Sequence, residues 1–199
     1  MNTYVKPETL IGATLAPVGW LKSAALVVAF SLFVGLSALV AVPLPFTPVP
    51  VTLQTFAVLL TGALLGPRLG ALALMAYLLE GAAGAPFFAG GSGGALYLAT
   101  TPTLGYLLAY PAAAYLTGLL AERGWDRRFT SAAAAMALGS AVILFGGWAG
   151  LLRFQPPARA FALGVAPFLV GDAVKIALAA GLLPAGWALV GRRGGARRD

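Results

Sequence analysis

Two ionisable residues stand three apart in an apolar stretch near the C-terminus: Asp172 and Lys175, within Pro167-Phe168-Leu169-Val170-Gly171-Asp172-Ala173-Val174-Lys175. On a helix that spacing puts both on one face, close enough to interact. At membrane depth, burying either group costs at least about 2.5–3.5 kcal/mol, so such residues face a bundle interior and mark a pathway or ligand site. The plainer alternatives are a neutralised pair that only fixes packing, or a pair that snorkels to the interface.

A second chemistry-bearing segment is Gly84-Ala85-Pro86-Phe87-Phe88-Ala89-Gly90-Gly91-Ser92-Gly93-Gly94. Its glycines free the backbone to bring N–H groups close to a ligand, or simply to stay flexible. Gly90-Gly91-Ser92-Gly93-Gly94 also fits the G-x-S-x-G pattern of a serine nucleophile. The chain has no histidine to activate Ser92, and glycine tracts match such patterns by accident, so catalysis is not the expected reading. No cysteine is present either, which excludes disulfides and thiolate metal sites. No cofactor is implied.

The elements that position these residues must sit in lipid. Of 199 residues, 60% are hydrophobic and 10% charged, and mean hydropathy is +0.89. Soluble domains carry about 25% charged residues, and a folded sphere of this size could not hide so much apolar surface. The expected class is an all-α integral membrane protein. The net charge of +7 then reports cytoplasmic loops, and no nucleic-acid partner is expected.

Residues 23–67 carry no charge, too many for one span of about 20 residues. The segment Pro43-Leu44-Pro45-Phe46-Thr47-Pro48-Val49-Pro50 splits them, because proline cannot continue a helix. Six spans are expected, over 20–42, 51–66, 68–82, 102–121, 130–151 and 165–190, in one membrane domain covering 1–199. Residues 1–19 are mildly amphipathic and suit the membrane surface. Thr101-Pro102 marks a helix start, and Arg153 to Arg159 reads as a loop. With both termini on one face, that face holds Lys6, Lys22, Arg68, Arg123, Arg127, Arg128, Arg192, Arg193, Arg197 and Arg198, against Arg153 and Arg159 opposite. The excess of basic residues places the termini in the cytoplasm. Asp172, Lys175, Glu80, the proline-rich and glycine-rich loops and Arg153 then gather near the external side, as for a pocket opening outward.

Small residues recur four apart, as Ala25 and Ala29, Ser31 and Gly35, Gly62 and Gly66, Gly146 and Gly150. Close helix approach is the usual reason, although an alanine-rich chain offers many such matches. No G-x-x-x-x-G-K-[ST] occurs, so the chain has no P-loop of its own with which to power transport. Composition and spacing support a small membrane binding or transport component without naming the ligand.

Val49-Pro50-Val51-Thr52-Leu53-Gln54-Thr55-Phe56, running on to Gly66-Pro67-Arg68-Leu69-Gly70-Ala71, closely resembles the BioY family of biotin-binding substrate components of energy-coupling factor (ECF) transporters. The glycine-rich segment, Pro102-Thr103-Leu104-Gly105-Tyr106-Leu107 and the block ending at Lys175 follow in the family's order. The resemblance spans about 20–190, with Thr101 where glycine is expected. It implies a six-helix substrate component in the cell membrane that captures biotin from outside. A transmembrane coupling protein and two cytoplasmic ATPases would be its partners, and Ala25 and Ala29 the coupling protein's docking face. Asp172 and Lys175 carry over as binding residues. Asp172 would accept a ureido N–H, and Lys175 would donate to the ureido carbonyl or the carboxylate. Tyr106 and Phe88 would pack the rings, with Gly91 and Gly93 amides meeting remaining polar atoms. In the reversed pose Arg153 takes the carboxylate. Another vitamin, a membrane enzyme, a structural protein, and action alone as a homo-oligomer stay open.

Overall fold

A computed structural model describes residues 9–15 and 19–195, with side chains as far as Val190. The elements in order are α1 (Leu10–Leu15), α2 (Trp20–Ser37), β1 (Ala41–Val42), β2 (Val51–Thr52), α3 (Gln54–Leu65), α4 (Pro67–Ala82), α5 (Ala95–Thr100), α6 (Leu104–Glu122), α7 (Phe129–Leu151), α8 (Pro157–Gly164) and α9 (Leu169–Gly195). Among the described residues, four stretches are long and apolar enough to cross a membrane: α2, α6, α7 and the run Pro157–Val190 that joins α8 to α9. The apolar α3 has 12 residues and α4 has 16, each short of the roughly 20 that span a bilayer.

Several boundaries differ from those expected. The span set at 20–42 ends at Ser37, and the one set at 51–66 starts at Gln54. The intervening prolines do not make a structureless break. Ala41 pairs with Thr52 and Val42 with Val51 in an antiparallel hairpin, extended by the Leu53 amide donating to the Val40 carbonyl at 3.1 Å. All four prolines lie in the hairpin's loop, where no ladder donor is needed. The stretch from Arg153 is a loop only to Pro156, since α8 begins at Pro157, the helical position that tolerates proline best. The span set at 165–190 starts at Leu169, after a 3₁₀ turn over Ala166–Phe168. Of the expected surface stretch 1–19, only 9–15 and Gly19 lie among the described residues, and α1 falls there.

The core forms around α6, which packs on α3, α4 and α7. Glycines allow the backbones to touch. A Cβ on Gly105 would stand 2.2 Å from the Gly146 carbonyl oxygen, and one on Gly150 would stand 2.7 Å from Gly105 Cα. Here the small residues four apart are an interface. On α2 the pattern divides by face: Ser31 and Gly35 are buried, while Ala25 and Ala29 are exposed.

Candidate ligand-binding site

The starts of α3, α6 and α9 and the last turns of α7 come together at one end of the bundle, under the hairpin. They line a partly open pocket. Val49, Pro50 and Thr52 reach it from the hairpin, Gln54 and Thr55 from α3, and Tyr106, Leu107 and Tyr110 from α6. Ile143 and Leu144 on α7, Phe168 on the 3₁₀ turn, and Asp172 and Lys175 on α9 complete most of the wall. The lining is chiefly apolar and aromatic, with its charge confined to α9.

That charge is held across three helices. Ser140 on α7 donates to Asp172 Oδ2 at 2.5 Å. Lys175 Nζ donates to Asp172 Oδ1 at 3.4 Å and to Thr55 Oγ1 on α3 at 2.8 Å. Both charged side chains are nearly buried, at 7% and 13% exposure, so each bond to an ionised group offsets desolvation. An ammonium has three donors, and two are used, which leaves one for a ligand. The carboxylate likewise keeps lone pairs beyond the two it shares.

Tyr106 is locked in place. Its ring lies against Gly147, where a Cβ would stand 2.0 Å away, and its centroid is 6.2 Å from that of Phe168. Its hydroxyl donates to the Gly164 carbonyl oxygen at the end of α8, at 2.5 Å. Thr47 in the hairpin loop donates to the neighbouring Leu163 carbonyl at 2.7 Å, tying the loop over the cavity to the same helix.

Asp172, Lys175 and Tyr106 thus meet at one cavity. The other residues singled out from the sequence stand elsewhere. Phe88 is fully buried outside the lining, edge-on to Tyr77 and stacked on Tyr97. The Gly91 amide donates to the Phe88 carbonyl within its own turn, and Gly93 lies against the Ala85 carbonyl; the glycine-rich segment reaches the cavity through Ala89. Arg153 is exposed over the Phe154 ring. Glu80 accepts from Ser31 at 3.0 Å, between α4 and α2 and outside the lining. Thr55, Gln54, Ser140 and Tyr110 were not singled out. Each is an isolated polar group on an apolar helix, and spacing along one helix gives no signal for a partner on another.

This fold and site define a helical membrane protein with a largely apolar pocket, carrying one charged cluster, at one end of its bundle. The chain matches the BioY family over residues 7–192 and belongs to it. It is 45% identical over 150 residues to a probable biotin transporter BioY of Pyrococcus horikoshii, covering 75% of this chain and 88% of that one. The biotin transporter BioY of Rhodobacter capsulatus is 40% identical, over 73% and 82% of the two chains. Among solved structures, the S-component for biotin from an ECF-type ABC transporter superposes with a TM-score of 0.74 at 26% identity, over 83% of this chain and 90% of that one.

Proposed function

We propose that this chain captures biotin as the substrate-binding membrane component of an ECF-type ABC transporter. It is a transporter component and not an enzyme, as its family relatives are transporters. The observation that carries the ligand is the buried Asp172–Lys175–Thr55 cluster on one wall of an otherwise apolar and aromatic cavity. Biotin has a matching division: polar ureido and carboxylate groups on an apolar thiophane and valeryl frame. In this reading Asp172 accepts a ureido N–H, the spare Lys175 donor meets the ureido carbonyl or the carboxylate, and Tyr106 packs the rings.

In this reading the topology is six crossings in one membrane domain, α2, α3, α4, α6, α7 and α9, the short α3 and α4 needing the segments that flank them to complete their crossings, with both termini in the cytoplasm and the cavity facing outward. In support, the cavity lies at the bundle end remote from Arg68, Arg123, Arg127 and Arg128, which flank the α3–α4 and α6–α7 connections. Basic loops stay on the cytoplasmic side. A transmembrane coupling protein docks on α2 through the exposed Ala25 and Ala29, and two cytoplasmic ATPases supply the energy; the chain resides in the cell membrane.

Calorimetric titration of the detergent-purified, biotin-stripped protein with biotin tests this. Submicromolar binding, weakened in Asp172→Asn, is expected. A different small molecule carried through purification would discard biotin and keep the fold.

A further inference from the structure

Gln54 opens α3, is 2% exposed and lines the cavity. Both hydrogens of its amide are spent on the wall behind it. Nε2 donates to the Tyr77 hydroxyl at 2.6 Å and to the Phe87 carbonyl oxygen at 3.4 Å, and the Tyr77 hydroxyl donates to that same carbonyl at 3.1 Å. This network decides which way the amide faces. Turned over, Gln54 Oε1 would confront the Phe87 carbonyl, one acceptor against another. Oε1 is therefore directed away from the wall.

That oxygen accepts no hydrogen bond among the described residues. It is not fully sealed from solvent either, unlike Glu80 Oε2 and Asp126 Oδ1, the sealed polar atoms without partners among the described residues. It is thus unpaired and still accessible, on a side chain whose opening is the cavity it lines. The Tyr110 hydroxyl, in the same lining, likewise makes no hydrogen bond among the described residues and can donate.

We infer that Gln54 is a specificity-determining residue: its Oε1 accepts a hydrogen bond from a ligand N–H, and Tyr77 is the residue that positions it. The inference rests on the biotin reading and deepens it. A urea presents two N–H donors, and Asp172, already bonded to Ser140 and Lys175, takes one of them. Gln54 takes the second. A ligand without that N–H leaves a buried acceptor unpaired, the kind of mismatch that hydrogen-bonding sites reject most strongly.

The test compares biotin with its two derivatives methylated at one or the other ureido nitrogen, by calorimetry on wild type and Gln54→Met. Methionine keeps the side-chain length, and the Tyr77–Phe87 bond still satisfies the wall. The wild type should bind each methyl isomer roughly ten-fold or more weaker than biotin, one through the lost Asp172 bond and the other through the lost Gln54 bond. Gln54→Met should weaken biotin by a similar factor and lose the discrimination against one isomer only. Unchanged affinity and discrimination in Gln54→Met, with binding still weakened in Asp172→Asn, would overturn the role of Gln54 and leave the biotin site standing. No biotin binding by the wild type would overturn both. Should Gln54→Met fail to fold, as judged by tryptophan fluorescence on melting, Tyr77→Phe decides. It frees the amide to turn, so discrimination should fall, and retention of the full wild-type discrimination would overturn the inference.

Discussion

Lys175 leans off its own helix: its ammonium is 2.8 Å from Thr55 Oγ1 on α3 and 3.4 Å from Asp172 Oδ1 on α9. The pair is therefore more than a charge neutralised within one helix. It is a strut between two elements, with the cavity beside it.

Removing either end of that strut should cost binding. Lys175→Ala and Asp172→Asn are each expected to weaken biotin affinity by about 1–3 kcal/mol, the penalty for an unpaired buried polar group. Thr55→Val should cost less, about 1 kcal/mol, since the ammonium keeps Asp172. Isothermal titration of the three variants checks the order, and equal affinities throughout would exclude the strut from the site.

Tyr106 is pinned from two sides, and each can be released separately. Gly147→Ala puts a methyl group into the Tyr106 ring and should cost about 1–3 kcal/mol of stability through overpacking. Tyr106→Phe removes only the bond to the Gly164 carbonyl, worth about 1 kcal/mol. Melting temperatures in detergent read both, and the glycine variant should show the larger drop.

Phe88 and Arg153 separate wall from surface. Phe88→Ala empties a fully buried site between Tyr77 and Tyr97 and should lose about 3–5 kcal/mol of stability. Arg153→Ala should leave both stability and biotin affinity nearly unchanged, because its guanidinium is exposed. A large affinity loss in Arg153→Ala would favour the reversed ligand pose.

Asp126, in the turn between α6 and α7, is 1% exposed, accepts from Trp187 at 2.6 Å and has a second oxygen without a partner among the described residues. Burial raises its pKa above the ordinary carboxylate value, against smaller lowering effects from the Trp187 bond, its own backbone and Arg127. A raised folded-state pKa means that its stabilising contribution is full below the unfolded value and lost as pH rises through the folded one. Relative to Asp126→Asn, the wild type should melt higher in acid than at neutral pH. A pH-independent difference would exclude this titration.

The sequence made the site legible where one helix carried the signal. Asp172 and Lys175 stand out because ionisable groups are rare in apolar runs and their spacing fixes a shared face. The partners that hold them, Ser140 and Thr55, lie 32 and 120 positions away, and each is an ordinary small polar residue on an apolar helix. The hairpin was hidden for a different reason: strands of two residues have no periodicity, and the surrounding prolines argue for a plain break. Phe88 and the glycine-rich segment drew attention as chemistry, yet there aromatic burial and turn geometry dominate. Gly146 and Gly150 carried little weight as a pattern, because only the facing Gly105 turns that spacing into an interface.

That glycine contact also limits how the cavity can be retuned. Where Gly105 meets Gly146 and Gly150 no side chain separates α6 from α7, so these helices have little room to slide there, and Tyr106, Leu107, Tyr110, Ile143 and Leu144 beside that contact form a wall of fixed shape. On α3 the same limit holds, since a Cβ on Gly62 would stand 2.2 Å from the Ala114 carbonyl oxygen of α6, so adaptation to a ligand of another outline would have to come from the hairpin and α9. Selections for altered uptake should therefore collect their substitutions in the hairpin and α9.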